Sequence, residues 1–143
     1  MNKEHHRATI DKGSNSSDTS GISKIIAIAE TNGWNVDTDE VKHGHIVFEF
    51  SQYTPAGQDF NFSAELTNGE VRTLIENIKE YYDGFDADAE AYLWIGDDGH
   101  GKNGAPYHIK DIVRDMEAAE EMVYHLYLVL NQTFSLQYTN DGR

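Results

Sequence analysis

The feature that most constrains this chain is a regular period of two between Ile46 and Leu66. Ile46, Phe48 and Phe50 alternate with Val47, Glu49 and Ser51, and Phe60, Phe62, Ala64 and Leu66 alternate with Asn61, Ser63 and Glu65. Successive side chains of an extended strand point to opposite faces. The alternation therefore predicts two strands, each with one face in a core and the other in water. Between them, Tyr53-Thr54-Pro55-Ala56-Gly57 carries turn chemistry: Pro presets φ and Gly accepts positive φ. The product is a half-buried antiparallel hairpin. Trp34, Val36 and Thr38 alternate with Asn35, Asp37 and Asp39 and predict a further strand, joined through a turn at His43-Gly44.

The rest of the chain carries helical spacing. Ile22, Ile25, Ile26 and Ala29 predict a helix from about Ile22 to Thr31, stopped by Asn32-Gly33. Thr67-Asn68-Gly69-Glu70 has the form of a capping box, followed by Val71, Leu74, Ile75, Ile78 and Tyr82 on one face and closed by Gly84. Asp86 is placed to cap a short third helix from about Ala87 to Ile95. Ile109, Ile112, Val113, Met116, Ala119, Val123, Leu126, Tyr127 and Leu130 predict the longest amphipathic helix, with Asp111, Asp115, Glu117 and Glu121 on its polar face. Alternation of Phe134, Leu136 and Tyr138 with Ser135 and Gln137 predicts a fourth strand, a frayed helix end being the alternative. The expected class is α+β, ordered α-β-β-β-α-α-α, with a three- or four-stranded antiparallel sheet packed on one face by helices. Residues 1–20 are polar and predict a disordered tail, leaving 21–143 as one domain.

The charge balance narrows the function. The chain has 25 acidic and 11 basic side chains and a net charge of −14. Phosphate contacts need Lys and Arg, so direct binding to nucleic acid or to an anionic membrane is disfavoured, and a basic partner is favoured. There is no cysteine, which excludes disulfides, thiolate nucleophiles and Cys-ligated zinc. The longest early apolar run, Ile25 to Ala29, is too short for a signal or a membrane span, and a cytoplasmic location is expected.

Motifs for catalysis are incomplete. Gly96 to Asn103 approaches a phosphate-binding loop, but Asn103 stands where the Mg²⁺-holding hydroxyl belongs, and Pro106 parts Lys102 from the next helix. Asp97 and Asp98 would repel a phosphate, so a flexible interhelical loop is expected there. Asp97, Asp98, His100 and His108 have ligand chemistry for a metal, and they carry the alternative of a small metal-dependent hydrolase. The patterns of a calcium loop or a His-Glu-x-x-His helix are missing, and no nucleophile elbow occurs. His43 and His45 could chelate from one strand face, although Gly44 favours a turn. No cofactor is expected.

The acidic surface remains. Asp111 and Asp115 are four apart, as are Glu117 and Glu121, which spaces each pair about 6 Å along a helix axis, close to successive phosphates of one strand. Arg114 partly offsets them. Trp94, if it lies outward near Glu90 and Asp97, would anchor an interface. A third possibility is a structural homodimer through Trp94.

The stretch GHGKNGAPYHIKDIVRDMEAAEEM, within Asp59 to Gln132, resembles small acidic proteins carried by mobile elements of gut bacteria. The resemblance implies an accessory role for mobile DNA, such as countering host defence, and transfers no catalytic residue. The α-β-β-β-α order also resembles double-stranded-RNA-binding domains. Those place a Lys cluster at the start of their second helix, where this chain has Thr67-Asn68-Gly69-Glu70. The expectation is a non-enzymatic acidic protein that engages a basic or nucleic-acid-handling protein, acting as a nucleic-acid mimic.

Overall fold

The computed structural model describes the backbone of residues 16–142 and the side chains of residues 21–135. In chain order the elements are α1 (Ser16–Thr31), β1 (Asn35–Lys42), β2 (His45–Tyr53), β3 (Asp59–Leu66), α2 (Val71–Asp83), α3 (Ala87–Tyr92) and α4 (Ile109–Gly142). The strands form one antiparallel sheet in the order β1-β2-β3. This is the α+β arrangement expected from the alternation, with the helices gathered on one face of the sheet.

The even-numbered residues of the hairpin face the helices. Phe48 and Phe50 are fully buried, and Phe60, Phe62, Ala64 and Leu66 are nearly so. Phe62 stacks on Phe50 at 5.2 Å and on Tyr81 of α2 at 4.6 Å, while Trp34 meets it edge-on at 5.5 Å. Burying each of these phenylalanine side chains stabilises the fold by roughly 1.5–3 kcal/mol. Ile25 and Ala29 of α1, Leu74 and Ile78 of α2, and Ala119, Val123, Leu126 and Leu130 of α4 complete the core. A second, smaller cluster joins Ala91 of α3 to Ile112 and Met116 of α4, with Trp94 and Ile95 partly buried against it. Both clusters hang on α4, a helix of 34 residues and therefore about 50 Å long.

Several local expectations are corrected. The fourth strand at Phe134 is instead the continuation of α4. Phe134 follows Leu126 and Leu130 at intervals of four and is itself buried, with Lys24 of α1 over its ring at 5.8 Å. A five-residue alternation does not override a helix already propagating along a buried face.

The capping box does not form. Asn68 and Gly69 both take positive φ, 56° and 67°, and Gly69 N–H donates to the Gly44 carbonyl. The pair makes a turn in which Asn and Gly tolerate the left-handed region. Glu70 becomes the N-cap without a side-chain bond, and Thr73 takes over by bonding the carbonyl of Glu70 and the N–H of Thr67.

Helix α1 begins at Ser16 rather than Ile22 and takes in residues 16–20 of the expected tail, whose remainder, 1–15, lies outside the described residues. Ser and Asp are suited to a first helical turn, which polarity alone had marked as tail. Helix α3 is also shorter than expected and stops at Tyr92.

The glycine-rich segment folds as a hydrogen-bonded, hairpin-like loop. Ile95 bridges Gly101, Gly96 N–H donates to His100 O at 2.8 Å, and Lys102 N–H donates to Trp94 O at 2.9 Å. A Cβ at Gly101 would lie only 1.9 Å from the Pro106 carbonyl oxygen, so glycine is obligatory for the chain to close on itself there.

Candidate functional site

The expected acidic row on α4 is broken by the fold. Asp115 is only 5% exposed. Its Oδ2 accepts from Thr54 Oγ1 at 2.5 Å and its Oδ1 accepts from Ala56 N–H at 3.0 Å. Thr54 Oγ1 in turn accepts from Gln58 N–H at 3.0 Å. Asp115 therefore pins the β2–β3 loop to α4 and is not available to a partner. Asp111 is half-buried and sits 3.4 Å from Arg114, whereas Glu117 and Glu121 remain exposed. The two i,i+4 pairs expected on the polar face lie on different flanks of α4.

Trp94 is expected to anchor an interface if it lies outward near Glu90 and Asp97. It is half-buried against the Ala91–Ile112–Met116 cluster, and the exposed apolar residues nearby are Tyr92 and Leu93, 72% and 65% exposed. Residue 94 falls just beyond α3, where the chain turns back and carries it inward.

The Asp97, Asp98, His100 and His108 set does not converge. Asp98 Oδ1 accepts from His100 N–H at 3.0 Å, and the His100 ring stacks on Tyr107 at 3.9 Å. Among the described residues no three His, Cys, Asp or Glu side chains are grouped to hold a metal ion. The N–H groups of Gly96, Gly99, Gly101 and Lys102 all donate within the loop or to its flanks, so these four are not free to cradle a phosphate. His45 bonds Glu65 at 2.9 Å rather than pairing with His43.

A shallow hollow of about 300 Å³ is lined by Asn32, Trp34, Gln52, Glu121, Met122 and His125. His125 Nε2 lies 3.1 Å from Asn32 Oδ1 and ties α4 to the end of α1. Elsewhere, burial pushes the Tyr81 hydroxyl well above its usual range, and the nearby Glu90 carboxylate adds to this. Burial also raises Glu90.

The face of the sheet turned away from the helices is different. Register places Asp37 directly across from Glu49, and Asp39 in one row with Val47 and Glu65. Asp37, Asp39, Glu49, Asp59, Asn61, Ser63 and Glu65 are all exposed. Like charges directly opposite on neighbouring strands are unfavourable by up to about 1 kcal/mol. His45 partners Glu65, but among the described residues no cation pairs with Asp37, Asp39 or Glu49. Tyr53, 67% exposed, stands at one end of the same face across from Asp59. Sequence reasoning placed these carboxylates on polar strand positions without seeing that they meet. The odd-numbered alternation held that signal, but only the pairing register brings Asp37 to Glu49.

Fold and surface together define an acidic α+β protein with one open sheet face, and among the described residues no helix is long and apolar enough to cross a membrane. Comparison with family models, with characterised proteins and with solved structures gives no match to this chain.

Proposed function

We propose that this protein is a non-catalytic binding module whose open sheet face engages a basic protein segment. The observation that carries the reading is the Asp37–Glu49 cross-strand pair with Asp39 beside it, three exposed carboxylates lacking a counter-charge among the described residues. A partner rich in Lys or Arg relieves their mutual repulsion, and Tyr53 offers an apolar anchor at the margin. The resemblance to acidic proteins of mobile elements points to a nucleic-acid-handling protein as the natural source of such a segment. That partner would be held by a surface that stands in for phosphates. Glu117 and Glu121 on α4 supply a smaller negative surface of the same sign.

The test is titration of a fluorescein-labelled, Lys-rich peptide by anisotropy at low and high salt. Binding should weaken by roughly tenfold or more as salt rises, because the contact is between exposed charges. The triple variant Asp37→Asn, Asp39→Asn, Glu49→Gln should lose most of the affinity, while Glu117→Gln with Glu121→Gln should retain it. If the helix double variant abolishes binding and the sheet variant does not, the proposed face is wrong.

A further inference from the structure

We infer that the basic partner binds as an added strand along the free edge of β1, a mode that rests on the acidic-face reading above and specifies its geometry. The carrying observation is in the backbone. Glu65 N–H turns away from β2 and donates to Asn77 Oδ1 of α2 at 2.8 Å. In an antiparallel ladder, bonding pairs alternate. With Glu65 turned outward on β3, its row partner Val47 directs its N–H and C=O toward β1, and it bonds there with Asp39. The bonded rows of β1 are then Asn35, Asp37 and Asp39, and the N–H and C=O groups of Val36, Thr38 and Glu40 point off the sheet. Trp34, next in that even-numbered series, sends its N–H to Ala29 O at 3.0 Å, away from β2, as the alternation requires.

The two edges are therefore unlike. Edge β3 is partly covered, with Asn77 on Glu65 N–H and Thr73 Oγ1 on Thr67 N–H. Along β1, no described residue bonds the outward groups of Val36, Thr38 and Glu40. An unpaired edge is a template for another strand.

Side chains select which strand. On the open face, an added strand would run beside Asp37 and Asp39; on the helix side, it would run beside half-buried Val36 and Thr38. The matching occupant has Lys or Arg at every second position and apolar or small residues between. A second copy of this chain fits badly. Antiparallel pairing of β1 with itself about Thr38 would set Asp37 against Asp39 of the second copy, between two molecules each carrying a net charge of −14. The bulge between Glu40 and Lys42 ends the usable edge.

The test uses the full chain, a short labelled peptide alternating Lys and Val, and a second peptide of the same composition with Lys and Val in separate blocks. The alternating peptide should bind more tightly than the block peptide. Thr38→Pro removes one outward N–H at an edge position where proline is tolerated, and it should weaken the alternating peptide by roughly tenfold. In the unsubstituted protein, saturating peptide should slow amide exchange at Val36, Thr38 and Glu40, a readout that decides the matter even if Thr38→Pro fails to fold. Unchanged exchange at these amides, with binding still lost on Asp37→Asn and Asp39→Asn, overturns the edge mode and leaves the acidic-face reading standing. Failure of every Lys-bearing peptide to bind at low salt overturns both.

Discussion

Asp115 shows how one residue can change role without changing type. On a helical wheel it belongs with Asp111, yet its flank of α4 faces the β2–β3 loop, and Thr54 and Ala56 close over it. Hydrogen bonds to a charged group contribute about 1.5–3 kcal/mol each. Asp115→Ala would also strand the buried Thr54 hydroxyl and the Ala56 N–H. We expect a loss of about 3 kcal/mol of unfolding free energy by urea titration, with the β2–β3 loop losing protection first. A loss below about 1 kcal/mol would return Asp115 to the solvated face. Gly101 is the opposite case, a residue whose value lies in what it lacks, since any Cβ there meets the Pro106 carbonyl.

At the scale of elements, α4 organises the molecule because it carries both apolar clusters. Its N-terminal half packs Ile112 and Met116 against Ala91, and its later turns pack Val123, Leu126 and Leu130 against the sheet and the other helices. Leu126 is fully buried, while Leu128, two residues on, is 40% exposed. Leu126→Ala should cost about 2–5 kcal/mol by the usual transfer and cavity terms, and Leu128→Ala within about 0.5 kcal/mol of nothing. Equal effects in thermal or urea unfolding would mean that α4 is rotated from the face described. Strand β1 contrasts with α4: it has one bonded neighbour, few buried side chains and an open edge, so its exchange protection should be the lowest of the three strands.

Across the whole molecule, negative charge is the dominant long-range term. Among the described residues, exposed carboxylates occur on the open sheet face, on α4 at Glu117 and Glu121, and around Asp83, Asp86 and Asp88. Among the described residues few are offset: Lys79 bonds Asp83 at 3.1 Å, Arg72 reaches Glu76 at 3.9 Å, Arg114 reaches Asp111, and His45 meets Glu65. These are exposed pairs, worth little in water. Self-repulsion of this kind opposes the compact state and is screened by salt. The melting temperature should therefore rise between about 20 mM and about 300 mM NaCl. A fall over that range in calorimetry would show that attractive pairs outweigh repulsion.

Sequence by itself determined the sheet and most of the helices. Period-two alternation over long strands and apolar spacing over long helices are dictated by side-chain direction, which each residue carries locally. The same local logic named Asp97, Asp98, His100 and His108 as ligand types but could not show that they do not group around one point. Tertiary structure alone decided which acids are exposed, because exposure depends on what lies across a helix or strand. Asp115 went inward against a loop about sixty residues earlier, and Trp94 turned in against α4. The acidic face exists because strand register set Asp37 opposite Glu49, a pairing that depends on how two strands align and on neither strand alone.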